Sequence, residues 1–336
     1  IAVAYYAYDA GLMEIFSRML GKTEEEEYYR LLRERIVKHW HEKYVEDGEL
    51  TIKTQTGYIL ALAFDLVEGE ERERFIGRLR DAIVSNNYTL STGFVGTGLL
   101  NQTLSKVGLD DLAYSLLLQT ADPSWLYSVR QGATTVWERW NSLLADGTIS
   151  GISMNSLNHY AYGSIQEWMF RHVAGINTTE EYPGASAVQF IPTLNWDLRY
   201  ADATYDSASG TYHLRWELSD KEHVTITMDV PFGCKAEVQL PLVDEKEKKA
   251  IAEVLGAEEN GSYVLTPGHY EVSYTLSERL GKNYTLDTPL RVLLNDPAAK
   301  EILAKELQMP DVPEQYRDYS IRELSEKFGT EMTKEQ

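Results

Sequence analysis

The chain has 336 residues, of which 43% are hydrophobic, so it is long enough to form two or three domains with cores of their own. Its formal net charge of −20 repels phosphate backbones and anionic lipid surfaces, which argues against nucleic acid and membrane partners. The single cysteine, Cys234, excludes an internal disulfide and a thiolate metal cluster.

The first 175 residues repeat one pattern, in which segments with apolar residues at helical spacing follow one another. Some are charged on one face and others are apolar nearly all round, as expected for an inner ring of helices wrapped by an outer ring. The predicted helices cover residues 4–20, 24–44, 54–67, 70–87, 93–108, 109–120 and 155–175. About seven helices are expected where a closed toroid of paired helices has about twelve, so we expect an incomplete toroid.

After Gly175 the pattern changes to short alternating runs rich in Val, Tyr and Thr. Turn residues separate these runs, which predicts an antiparallel β-sandwich. The breaks "DSASGT" (206–211) and "VPFG" (230–233) are predicted to be hairpin turns, and residues 244–256 a helical insertion. From about Asp287 the chain is again helical and polar, and from Pro310 we expect a loosely packed extension.

Residues 91–172 concentrate the aromatic and acidic side chains that a sugar site uses, and Trp125, Trp137 and Trp140 lie within sixteen residues. Indole faces stack on pyranose C–H surfaces, and cleavage of a glycosidic bond needs two carboxyl groups. Glu138, in "GATTVWERW", is a candidate for one of them. Motifs for phosphate, dinucleotide, zinc-peptidase and serine-hydrolase chemistry are absent from the sequence.

A structural role for the same residues stays open at this point. Glu138 also fits the first turn of a helix, with Trp137 and Trp140 packed into the core three residues apart. His159 also fits a hydrogen-bonded core histidine.

The blocks "GATTVWERW" (132–140) and "NHYAYGS" (158–164), at this separation, closely resemble the bacterial α-L-rhamnosidases of glycoside hydrolase family 78. The resemblance runs from residue 1 through the predicted sandwich and weakens past about residue 285. It implies an (α/α)6 barrel followed by a C-terminal β-sandwich. The implied domains are a barrel portion at residues 1–176, a β-sandwich at 177–286 and a helical polar tail at 287–336.

The resemblance also implies a function and roles for single residues. It implies inverting hydrolysis of terminal α-L-rhamnosides without a cofactor or metal. Glu138 corresponds to the general base, His159 contacts the sugar, and Trp125, Trp137 and Trp140 belong to the substrate-binding surroundings. Rhamnose-containing glycosides or oligosaccharides are the expected partners, a homodimer is compatible with the sequence, and a cytoplasmic location is preferred over a periplasmic or secreted one.

The sequence departs from the family pattern at its beginning. In the family the general acid lies in an earlier barrel segment, and nothing in "IAVAYYAYDA" matches that segment. We therefore expect the C-terminal part of such an enzyme, which holds the base and is inactive alone. The alternatives are an α/α-barrel glycosidase for another sugar, a non-catalytic carbohydrate-binding protein and a scaffold.

Overall fold

The computed structural model describes residues 1–151, 153–179, 181–281, 284, 286, 288–294, 296–306, 312–317 and 319–328. The chain forms two compact units. The larger comprises Ile1–Ala82 and Thr89–Gly281, and the smaller comprises Ile83–Tyr88 and Lys282–Gln336.

The N-terminal half of the larger unit is built mainly from helices, as the periodicity predicts. A two-stranded hairpin of β1 (Val45–Glu46) and β2 (Glu49–Leu50) follows the second helix. A 3-10 turn (Ala161–Ser164) precedes the last helix, which continues as a π-helix (Met169–Ala174). The helices are α1 (Ala2–Met19), α2 (Thr23–Tyr44), α3 (Gln55–Ala63), α4 (Gly69–Val84), α5 (Phe94–Lys106), α6 (Asp110–Leu117), α7 (Trp125–Arg130) and α8 (Ile165–Trp168).

The predicted alternation of enclosed and half-solvated helices is confirmed by burial. In α3, every residue from Tyr58 to Leu62 is buried, whereas α2 buries only Ile36 and Trp40. Helix α3 packs against α5, and Gly96 of α5 permits the approach because a Cβ there would lie 2.5 Å from Thr56 Oγ1.

Helix α1 exposes several of its large apolar side chains. Its buried side chains are small (Ala4, Ala7, Ala10 and Ser17), whereas Phe16 is 50% and Leu20 71% exposed. Tyr5 and Tyr8 pack against Phe64, whereas the apolar side chains Phe16, Met19 and Leu20 at the end of the helix are exposed.

The C-terminal half of the larger unit contains two four-stranded sheets. The first has the order β10–β7–β6–β5 and is antiparallel throughout. The second has the order β3–β4–β8–β9. Their strands are β3 (Ile176–Thr178), β4 (Ala187–Phe190), β5 (Tyr200–Ser207), β6 (Gly210–Leu218), β7 (His223–Val230), β8 (Lys235–Val238), β9 (Tyr263–Leu265) and β10 (Gly268–Thr275).

The purely antiparallel prediction is wrong for one pair, because β4 and β8 are parallel. After β4 the chain forms β5, β6 and β7 of the other sheet before it returns as β8, and this long connection permits the same strand direction. The "DSASGT" turn joins β5 to β6 as predicted. The "VPFG" segment is not a hairpin, since it leads from β7 in one sheet to β8 in the other. Helix α9 (Lys248–Leu255) confirms the helical insertion.

The smaller unit contains α10 (Leu290–Leu294), α11 (Pro297–Glu306) and α12 (Ile321–Phe328). Leu290, Leu293, Leu303 and Val312 form a small core of its own. Asp287 and Pro310, where the sequence predicts the tail and its loose extension to begin, lie outside the described residues.

A ladder of ionic contacts on the outer face of the first sheet predicts a pH-dependent stability. His213 Nε2 lies 2.9 Å and Arg215 Nη1 3.0 Å from the carboxylate of Asp202, and these contacts lower the pKa of Asp202. A carboxyl with a lowered folded-state pKa stabilises the fold above its unfolded pKa of about 4, and the gain disappears as the pH falls through the folded pKa.

We therefore expect Asp202→Asn to reduce stability near pH 7 by less than about 1 kcal/mol, since the contacts are exposed. The difference between variant and parent should vanish in acid, which thermal unfolding at a series of pH values measures. A difference that persists below both pKa values would show that charge is not its origin.

Candidate active site

The segment between α7 and α8 holds the predicted site residues. Helix α7 begins at Trp125, where Ser124 Oγ accepts a hydrogen bond from the amide of Tyr127, and it ends before Gly132, whose φ is +83°. No described residue from 133 to 160 is helical. The interpretation of Glu138 as a first-turn helical acid is therefore wrong.

Two stretches of this segment pair with each other through their backbones. The amide of Glu138 donates to the carbonyl of Ser156 at 2.8 Å, and the amide of His159 donates to the carbonyl of Val136 at 2.8 Å. The Thr135 hydroxyl donates to the carbonyl of Leu157. These bonds bring the blocks "GATTVWERW" and "NHYAYGS" side by side.

The Glu138 carboxylate is half-buried and is oriented by the same pairing. Its Oε2 accepts a 2.7 Å hydrogen bond from the amide of Ser156. The Ser156 hydroxyl bonds both the carbonyl and the amide of Asn158, at 3.0 and 3.1 Å, which tightens the loop that presents this amide. The neighbouring Arg139 donates to the carbonyl of Ser153 at 2.8 Å.

Trp125 and Trp140 belong to one aromatic cluster. The Trp140 indole stacks on Tyr162 at 3.8 Å with an 11° interplanar angle, and Trp125 meets it edge to face at 5.2 Å. The indole N–H of Trp125 donates to the carbonyl of Tyr162, and that of Trp140 to the carbonyl of Thr92. With both N–H groups used internally, these indoles offer a ligand their π-faces and edges.

His159 packs against two aromatic rings. It stacks on Phe94 at 4.8 Å and on Tyr160 at 5.4 Å. Its Nδ1 accepts a 3.3 Å hydrogen bond from the amide of Ala161, which selects the tautomer protonated at Nε2. Its Nε2–H donates to no described residue, so His159 can meet a ligand through this edge of the ring.

A pocket of about 270 Å³ opens beside this cluster. Trp125, Trp137 and Trp140 line it together with Arg139 and Tyr162. Glu138 and His159 do not belong to its lining, so the predicted site residues divide between the pocket and the adjoining backbone pair. Burial, and to a smaller extent the charge of Glu138, raise the pKa of the Tyr162 phenol in the pocket wall.

Sequence reasoning missed three residues of this site. Phe94 and Tyr162 build the aromatic cluster, and Ser156 orients Glu138. Tyr162 lies inside the block "NHYAYGS" and Phe94 inside "STGFVGTG", so both were within reach of motif analysis. The amide of Ser156 carries no side-chain signal and could be found only from coordinates.

Neither a metal cluster nor a membrane span is found in the described part of the chain. No three His, Cys, Asp or Glu side chains among the described residues converge as metal ligands would. No described helix is both long and apolar enough to cross a bilayer.

Comparison with known proteins identifies two family domains. Residues 1–173 match the bacterial alpha-L-rhamnosidase 6 hairpin glycosidase domain, and residues 175–254 match the bacterial alpha-L-rhamnosidase C-terminal domain. An alpha-L-rhamnosidase of Formosa agariphila is 37% identical over 251 residues, which cover 74% of this chain and 27% of that protein. One of Streptomyces avermitilis is 39% identical, over 72% of this chain and 23% of that protein.

Solved structures agree with this result. The crystal structure of a Streptomyces avermitilis alpha-L-rhamnosidase complexed with L-rhamnose has a TM-score of 0.73 and 34% identity, and the match covers 81% of this chain and 26% of that one. The chain thus spans about a quarter of the length of these relatives. Since the six-hairpin domain matches more than half of its residues, the chain belongs to the bacterial α-L-rhamnosidase six-hairpin glycosidase family.

Proposed function

We propose that this chain is the C-terminal portion of an inverting α-L-rhamnosidase and supplies its general base, Glu138. The observation that carries the proposal is the Glu138 carboxylate, held by the Ser156 amide beside a tryptophan-lined pocket, within the domain that matches the family. The Streptomyces avermitilis relative of known structure is complexed with L-rhamnose, which supports terminal α-L-rhamnosides as the substrate class.

The geometry of Glu138 suits a general base. Its Oε2 is engaged by the Ser156 amide, and no described residue donates to Oε1. Oε1 can therefore accept a proton from water as the water oxygen attacks the anomeric carbon. A second carboxylic acid protonates the departing glycosidic oxygen, and inversion places the two carboxyl groups about 6.5–9.5 Å apart.

Substrate binding falls to the aromatic residues. Trp125, Trp137 and Trp140 give the pocket apolar walls for the C–H surfaces of a pyranose. The Nε2–H edge of His159 is a donor for a sugar hydroxyl.

The acid is expected in an upstream barrel segment, so the toroid is proposed to be incomplete here. The exposed apolar face of α1, with Phe16, Met19 and Leu20, is what helices of a missing barrel portion would cover. The match to about a quarter of each relative supports the same proposal.

We further propose that the chain divides into three domains, at residues 1–176, 177–286 and 287–336. We also propose that it forms a homodimer, which analytical sedimentation would test.

The test measures hydrolysis of two substrates, an aryl α-L-rhamnoside and an aryl β-glucuronide. Each is given to the chain alone and to the polypeptide with its upstream portion restored (the complete polypeptide). We expect turnover only of the rhamnoside, only by the complete polypeptide, and with the β-anomer of rhamnose as first product. Turnover of the glucuronide would indicate a glycosidase for another sugar. L-Rhamnose binding without turnover by the complete polypeptide would indicate a carbohydrate-binding protein.

A further inference from the structure

Tyr162 is a buried polar side chain in the wall of the pocket. It is 7% exposed, stacks face to face on Trp140 and meets Phe94 at 5.3 Å. Its backbone carbonyl is held by the indole N–H of Trp125 at 2.9 Å. These contacts fix the position of the ring, so its hydroxyl is presented without further loss of conformational freedom.

The Tyr162 hydroxyl has no hydrogen-bond partner among the described residues, and it is not one of their fully buried unpartnered atoms, so it is accessible to a ligand although the residue as a whole is 7% exposed. Tyr58 shares this feature but does not line the pocket. The remaining buried tyrosines donate their hydroxyls to carbonyl or carboxylate oxygens, and these are Tyr114, Tyr212, Tyr263 and Tyr274.

The residues around the Tyr162 hydroxyl indicate the kind of ligand that it can bind. The pocket combines three indole walls with the Arg139 guanidinium and the Thr134 side chain, so it offers apolar surface together with hydrogen-bonding groups. Burial, reinforced by the charge of Glu138, raises the pKa of the Tyr162 phenol, which keeps its proton. The hydroxyl can therefore donate as well as accept, as a neutral polyhydroxylated ring requires.

We propose that the Tyr162 hydroxyl forms a hydrogen bond with a hydroxyl group of the sugar ring, and that Tyr162 is therefore a specificity-determining residue of the site. This rests on the proposed function, since it takes a rhamnosyl ring as the ligand of the pocket. Tyr162 acts by direct contact with the sugar, whereas Glu138 acts on water. Loss of the Tyr162 hydroxyl should therefore weaken binding of the sugar in the ground state and in the transition state alike.

The test is Tyr162→Phe in the complete polypeptide, with an aryl α-L-rhamnoside as substrate. Phenylalanine keeps the stack on Trp140 and removes only the hydroxyl. One lost hydrogen bond predicts a KM raised about 3- to 10-fold, with kcat and the thermal unfolding midpoint unchanged. Affinity for L-rhamnose, measured by calorimetry, should fall by the same factor.

Tyr127→Phe is the matched control, because the Tyr127 hydroxyl donates to the carbonyl of Leu143 at 3.0 Å and does not line the pocket. This control should lower the unfolding midpoint and leave KM unchanged. An unchanged KM in Tyr162→Phe, or a raised KM accompanied by the same loss of stability as in Tyr127→Phe, would overturn the inference alone. Failure of the unsubstituted complete polypeptide to hydrolyse the rhamnoside would instead overturn the proposed function.

Discussion

Glu138→Gln in the complete polypeptide is expected to lower kcat by about 10²–10⁴-fold while leaving the affinity for L-rhamnose nearly unchanged. Glutamine is close to glutamate in shape, and its carbonyl oxygen can still accept the hydrogen bond that Ser156 donates to Glu138 Oε2. The pairing of the two backbone stretches is therefore retained. A neutral amide cannot take a proton from the attacking water, so only the chemical step is affected.

Kinetics on an aryl α-L-rhamnoside and calorimetry with L-rhamnose measure the two quantities separately. Glu167→Gln is the matched control, because Glu167 is an exposed acid of α8 that pairs with Arg171 at 2.9 Å. Glu167→Gln should change neither kcat nor the affinity for L-rhamnose. A kcat close to that of the parent in Glu138→Gln would refute the assignment of Glu138 as the base. Loss of L-rhamnose affinity equal to the loss in kcat would show instead that Glu138 serves binding.

Of the substitutions considered, Trp216→Ala is expected to destabilise the fold most, by lowering the free energy of unfolding by about 3–5 kcal/mol. Trp216 is a fully buried residue of β6. Its indole N–H donates to the carbonyl of Val173 at 2.7 Å, which ties the sheet to the π-helix after α8. Alanine leaves a large cavity and a buried carbonyl without its donor, and both effects favour the unfolded state.

Denaturant unfolding of the chain measures this loss. Trp216→Phe keeps most of the apolar volume and removes the N–H, so it should cost less than the alanine variant. Trp196→Ala is a second control, since Trp196 is only half-buried and stacks beneath Arg199. Equal losses for Trp216→Ala and Trp196→Ala would contradict the role assigned to the buried indole.

Several elements could be predicted from the sequence because their signals are local. Phe75 and Leu79 lie four residues apart on the buried face of α4, as helical periodicity requires. In β6, Tyr212, Leu214 and Trp216 alternate with more exposed residues, as a strand with one buried face requires. The turn between β5 and β6 was predictable for the same reason.

Other elements were mispredicted because their structure depends on distant residues. The "VPFG" segment has the composition of a hairpin turn, yet β8 pairs with β4, nearly fifty residues earlier in the chain. Glu138 has helical spacing between two tryptophans, yet the pairing with residues 156–159 holds that backbone in a non-helical conformation. A local sequence pattern indicates which residues are neighbours within one helix or strand. The pairing of β8 with β4 and the pairing of Glu138 with residues 156–159 both join separate parts of the chain, so no local pattern predicts them.

The sequence by itself determined most element types, the order of helical and β-rich portions, and the family, through "GATTVWERW" and "NHYAYGS". Only the tertiary structure decided how the site is assembled. The amide of Ser156 meets Glu138 eighteen residues away, and Phe94 stacks on His159 across a still longer separation. The physical reason is that such contacts arise from chain folding and side-chain packing, which leave no periodic signal in the residues that make them.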